Sequence, residues 1–306
     1  MARSDNLTGA LLMMASMASF TINDTLMKAM AGQVPLNQLL FLRGVFTTLA
    51  VALIAWRMGA LTLRLPRRDL LTIAVRMAAE IGAAYFFLTA LFNMPIANVT
   101  AILQSLPLTI TLAAAVFLHE PVGWRRMAAI LAGLVGVMLI IRPGTEGFNS
   151  YALYTLLAVG FVTLRDLATR RLSPATPSMA VTFLTSAAIM TFFGVLSVGD
   201  AWAPMGTREA ALTLGASVMI IGGYLFSIMV MRVGEIGFVA PFRYTGLLWA
   251  LLLGWLVFGE WPEPLTLLGA AVVVASGLFT LYREARVQRR LRAERKTPIA
   301  PGPRPR

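Results

Sequence analysis

The chain has 306 residues, 58% of them hydrophobic and only 13% charged, with a mean hydropathy of +0.76. A soluble domain carries roughly 45–50% apolar residues, so this composition excludes one. The net charge is +12, with no cysteine and one histidine, which excludes disulfides, thiolate metal sites and most catalytic triads.

The apolar residues fall into ten blocks. Each is near the ~20 residues that a helix rising ~1.5 Å per residue needs to cross ~30 Å of hydrocarbon. The first runs from about Gly9 to Met30. Small residues around Ala15 to Ser19 imitate a signal-peptide cleavage site, but the block continues past Asn23, Asp24 and Lys28 and reads as an uncleaved helix. The second, Leu36 to Trp56, contains Arg43 and is followed by Arg57, Arg64, Arg67 and Arg68. The third, Leu70 to Phe92, contains Arg76 and Glu80. After the break NMPIAN the fourth runs from about Val99 to Leu118 and closes on His119-Glu120. The fifth, Met127 to Ile141, ends at Arg142-Pro143-Gly144.

The sixth block, Tyr151 to Ala168, contains Arg165 and Asp166 and is followed by Arg170 and Arg171. The seventh is Met179 to Val198, the eighth Ala210 to Met231, and the ninth Phe238 to Phe258, with Arg243. The tenth, Leu265 to Tyr282, leads into a tail carrying nine Arg/Lys and two Glu. Such a tail reads as a solvated cytoplasmic segment near anionic lipid, and no nucleic-acid motif accompanies it.

The second half repeats the first. Asp24 and Asp166 lie 142 positions apart, and Phe41-Leu42 and Phe183-Leu184 share that interval. Pro95 to Glu120 is echoed by Gly234 to Glu260, each an apolar run closing on a glutamate before a proline-bearing turn. Basic loops follow blocks two, four and six and the last block, which puts both termini in the cytoplasm. Five is odd, so equivalent blocks cross in opposite directions, as an inverted repeat. The expected fold is an all-α membrane protein of ten transmembrane helices. Residues 1–142 and 143–282 form two five-helix repeats, and residues 283–306 the tail.

With Glu120-Pro121 and Glu260-Trp261-Pro262 closing the fourth helix of each half, the chain resembles the drug/metabolite transporter superfamily, EamA-type branch, over roughly residues 8 to 282. The resemblance implies a secondary transporter in the bacterial inner membrane, with no cofactor and a central cavity of alternating access. The implied partners are a small-molecule substrate, membrane lipid and a coupled proton.

Charged side chains are costly in hydrocarbon, so they mark a wet cavity or an ion pair. The candidates for substrate binding or coupling are Asp24, Arg43, Arg76, Glu80, Arg165, Asp166 and Arg243. Arg76 and Glu80 are four apart and can pair along one helix face, as can Asp24 with Lys28 and Asp166 with Arg170. For Lys28 and Arg170 a snorkelling role at the membrane surface is the simpler reading. Gln104 and Arg243-Tyr244 sit on equivalent helices facing the pseudo-two-fold axis, where Arg243 suits a carboxylate or phosphate fork. Tyr85 and Tyr224 can wall a pocket for a planar ligand, with plain packing as the alternative. Pro95, Pro107 and Pro241 start or interrupt helices.

Together these residues predict a secondary transporter for a small organic metabolite such as an amino acid, vitamin or related carboxylate or zwitterion. A polytopic membrane enzyme and a non-transporting sensor are the alternatives. A single histidine and the absence of cysteine leave little for catalysis, and no Walker loop supports ATP drive.

Overall fold

A computed structural model describes residues 2–57, 59, 65–120, 122–144, 148–173, 175–230, 233 and 236–296. Arg64, Pro121, Gly234 and residues 297–306 of the tail lie outside the described residues. Ten helical segments among the described residues are long and apolar enough to cross a membrane. Backbone N–H and C=O groups find no partner in hydrocarbon, so an apolar block that crosses it closes its hydrogen bonds within a helix.

The helices are α1 (Ala2–Lys28), α2 (Leu36–Arg57), α3 (Leu70–Asn93), α4 (Ile96–Leu103), α5 (Leu106–Phe117) and α6 (Trp124–Ile141) in the first half. The second half has α7 (Tyr151–Arg171), α8 (Ser178–Ser197), α9 (Thr207–Val230), α10 (Ile236–Val239), α11 (Thr245–Phe258) and α12 (Pro264–Lys296). Eight spans are single helices. The fourth is α4 plus α5, and the ninth passes from α10 through a 3-10 turn, Ala240–Tyr244, into α11.

Both interruptions have a proline at the break. Pro107 sits in the first turn of α5 and Pro241 in the first turn of the 3-10 segment. Proline has no N–H to donate and its ring crowds the preceding turn. Ser105 N tightens to a three-residue turn bond on Ile102 O, while Gln104 N keeps the ordinary helical bond to Thr100 O, each 3.0 Å.

The packing is symmetric under a shift of five spans. The heaviest contacts join the third span to the sixth, the first to the eighth, the second to the seventh and the fifth to the tenth. Exchanging each span for the one five places along turns the first of these pairs into the second and leaves the other two unchanged. At the fifth–tenth contact the backbones nearly touch: a Cβ on Gly136 would lie 2.8 Å from Gly269 O. Small residues permit such an approach where apolar side chains gain little by leaving lipid. Large apolar side chains such as Leu49, Leu71, Leu131, Val195 and Leu256 remain exposed on the outside, as lipid contact requires. Trp56, Trp124, Trp202 and Trp261 are exposed near span ends, where an indole anchors at the membrane–water boundary.

Candidate functional site

Each half brings an aspartate inside with a donor one residue before it. In α1 the Asn23 amide donates to Asp24 Oδ1 at 2.8 Å. In α7 the Arg165 guanidinium donates to Asp166 Oδ1 at 2.8 Å. The geometry repeats while the donor changes from neutral to cationic. Arg165 also reaches Glu80 Oε1 of α3 at 3.0 Å.

Arg76 is only a distant partner of Glu80, at 4.0 Å. It turns instead to two hydroxyls of the other half, Thr169 Oγ1 at 2.9 Å and Thr185 Oγ1 at 2.5 Å. The expected pair within α3 is thus secondary to bonds between α3, α7 and α8. Arg43 of α2 is buried and its Nη1 donates to Asn23 Oδ1 at 3.4 Å, with Asp24, Glu80 and Tyr224 in electrostatic reach. Tyr224 of α9 faces Glu80, Arg43, Arg76 and Arg165.

Two members of the cluster keep solvent-accessible surface. Tyr224 is 46% exposed, and Arg243, whose nearest charges are Asp166 and Arg165, is exposed as well. Gln104 is buried at the break of the fourth span, where a Cβ on Gly246 would lie 3.5 Å from its Nε2. The breaks of the fourth and ninth spans therefore lie against each other. Tyr244 is buried against Gly277 of α12 and anchors the turn that carries Arg243. Tyr85 stands apart: it is five residues, or about 140°, around α3 from Glu80, and its ring meets Phe86 edge to face. A cleft of about 520 Å³ between Trp124, Arg125, Ser276 and Phe279 holds none of these residues.

Lys28 and Arg170 take partners other than the aspartates one turn before them. Lys28 Nζ lies 2.7 Å from Glu260 Oε1, donates to Met94 O, and stands 5.1 Å from the centre of the Phe258 ring. Glu260 Oε2 also accepts from Ile96 N at 3.1 Å. Arg170 Nη1 lies 3.5 Å from Glu120 Oε1.

The two glutamates are placed by the same helix ending. Glu120 N bonds Ala114 O and Glu260 N bonds Gly254 O, each reaching back six positions to close the end of its helix. The preceding residues, His119 and Gly259, are both left-handed at φ 55 and 66. The pairs exchange under the repeat: first span with ninth, sixth with fourth. All odd spans run one way and all even spans the other, so the pairs close opposite ends of the bundle. One is tight, its side chains 9% and 26% exposed; the other is loose, at 48% and 53%.

Sequence reasoning passed over Asn23, Thr169 and Thr185 as site residues. The signal for Asn23 was its place beside Asp24, matching Arg165 beside Asp166. Nothing local marks the threonines, whose hydroxyls matter only because Arg76 crosses to them.

The model of the EamA-like transporter family matches residues 7–142, the first five spans. A riboflavin transporter of Vibrio cholerae is 33% identical over 70% of this chain and 72% of that protein. The chain belongs to the EamA-like transporter family. Other relatives of this EamA-like protein are an S-adenosylmethionine uptake transporter of Rickettsia felis, 26% identical over 93% of this chain and 96% of that protein, and a pseudopaline exporter of Pseudomonas aeruginosa, 25% identical over 88% and 94%. A solved crystal structure shares the fold, with a TM-score of 0.62 and 19% identity over 94% of this chain and 99% of that one. As an EamA-like transporter the chain is a multi-pass membrane protein that moves a small metabolite, and it is not an enzyme.

Proposed function

We propose that the chain carries its metabolite across the bacterial inner membrane by alternating access between two inverted five-span units, residues 1–142 and 143–282. Both termini and the tail, 283–306, are cytoplasmic in this reading, and lipid surrounds the bundle. The observation that carries it is the exchanged ion pairs Lys28–Glu260 and Arg170–Glu120, between which the exposed Tyr224 and Arg243 line a solvated chamber in this reading. The Arg/Lys weighting of the loops assigns Arg170–Glu120 to the cytoplasmic end and Lys28–Glu260 to the outer end. The outer latch is closed and the inner one loose, as in a carrier open to the cytoplasm. Rocking one unit against the other reverses the two. The relatives' names support a polar, ring-bearing cargo of the riboflavin or S-adenosylmethionine kind.

A proton is the coupling ion, and Asp24 its carrier. Among the described residues the Asp24 carboxylate has one hydrogen bond, from Asn23, and faces Arg43 without pairing with it directly. Glu80, by contrast, is held by Arg165 with Arg76 beyond.

The chain has no cysteine, so one placed at Tyr224 reports access to the chamber. A membrane-impermeant maleimide added outside labels it slowly, and Lys28→Met speeds labelling severalfold. The exchange Lys28→Glu with Glu260→Lys restores the slow rate. Labelling that ignores Lys28→Met and Glu260→Gln alike overturns alternating access through these latches. Liposome uptake of labelled riboflavin, S-adenosylmethionine and amino acids, with and without a proton gradient, identifies cargo and coupling.

A further inference from the structure

We infer that Arg243 is the residue that reads the cargo, and that the cargo presents an oxyanion, a carboxylate or phosphate, to it. The inference rests on the transporter reading above and deepens it.

The first ground is charge balance. Arg43, Arg76, Arg165 and Arg243 face Asp24, Glu80 and Asp166. Arg165 holds both Glu80 and Asp166. Arg43 faces Asp24 and bonds Asn23, and Arg76 is satisfied by two hydroxyls. Among the described residues Arg243 makes no hydrogen bond and no ion pair. Its nearest carboxylate, Asp166, is already gripped by Arg165 at 2.8 Å. An arginine inside a membrane protein is costly, and this one is the surplus charge of the chamber.

The second ground is placement. Arg243 stands in the 3-10 turn that interrupts the ninth span, next to the buried Tyr244 that pins this turn to α12. Arg243 is exposed to solvent, while its neighbour Tyr244 is buried. A planar fork with two parallel donors, unpaired among the described residues and exposed, selects a carboxylate or phosphate over a hydroxyl or amine.

The third ground is the neighbouring aromatic. Tyr224 has Arg165 as an electrostatic neighbour, as Arg243 does, and is 46% exposed, its ring braced edge to face by Phe20 at 5.3 Å. A ring-bearing anion fits this combination: oxyanion on Arg243, ring against Tyr224.

The test uses matched probes on the full chain in nanodiscs, with affinity read by isothermal titration calorimetry. The pairs are riboflavin 5′-phosphate against riboflavin, tryptophan against tryptamine, and benzoate against benzyl alcohol. In at least one pair the oxyanion member binds about tenfold tighter or more, as a charged hydrogen bond implies. Arg243→Gln removes that preference, and Arg243→Lys, which keeps the charge but not the fork, recovers only part of it. The inference is overturned if no pair favours its oxyanion, or if Arg243→Gln keeps the preference. The cysteine-labelling measurement on Arg243→Gln separates the two readings. Latch-dependent labelling with no oxyanion preference sinks this inference and leaves transport standing; a preference without latch-dependent labelling does the reverse.

Discussion

His119 and Gly259 occupy the same left-handed position ahead of the two latch glutamates. A Cβ on Gly259 would meet nothing within 4 Å, so only the backbone resists a side chain there. Gly259→Val is expected to lower stability by about 1–2 kcal/mol, and His119→Gly to raise it by about 1 kcal/mol, in thermal unfolding of the detergent-solubilised protein. Asp24→Asn mimics the protonated carboxyl. It should abolish stimulation of uptake by an inward proton gradient and leave counterflow exchange intact; stimulation that persists removes Asp24 as the carrier. Glu80→Ala removes one of the two carboxylates that Arg165 holds and is expected to lose about 1.5–3 kcal/mol of stability, the worth of a charged hydrogen bond. At this scale Asp24 and Asp166 were legible because aspartate is rare in a span. The partners of Lys28 and Arg170 were not, since spacing along a helix names only the neighbour one turn away. Each of these long side chains instead reaches the end of a span far along the chain.

Elements were legible in their number and roughly in their limits, because block length against bilayer thickness is a local property. The interruptions of the fourth and ninth spans were signalled by Pro107 and Pro241, but hydropathy runs smoothly through both, so each block read as one helix. The last helix continues to Lys296, beyond the apolar block ending at Tyr282. Leaving hydrocarbon does not end a helix, and the Arg and Glu residues that follow are good helix formers. The glycine contact between α6 and α12 belongs to the scaffold, since the charged cluster is built on other helices. Gly136→Val should force these spans apart and cost about 1–3 kcal/mol, read as a lower unfolding temperature. Pro241→Ala is expected to extend α11 back through the turn, draw Arg243 from the chamber and slow uptake severalfold without lowering the unfolding temperature. Normal uptake would remove the turn from the mechanism.

For the whole molecule, ten crossings demand that both ends lie on one side. Reporters fused before α1 and after residue 296 should both register the cytoplasm, and opposite readings would contradict the even number of spans. The two latches predict reciprocity as well. Loosening the outer one by Lys28→Met should reduce access from the cytoplasmic side while raising it from outside, measured by maleimide labelling from each face. A rise on both faces would describe a leak rather than a carrier.

Composition and block length were enough to determine a ten-span membrane protein, because the bilayer imposes one rule on every segment separately. Which cation meets which anion was decided only in three dimensions. Lys28 with Glu260, Arg170 with Glu120 and Arg165 with Glu80 join residues far apart in the chain. The unpaired Arg243 emerges only after those pairings have been made. Inside a bundle a charge is settled by whichever opposite charge packing delivers, and packing is a property of the whole fold.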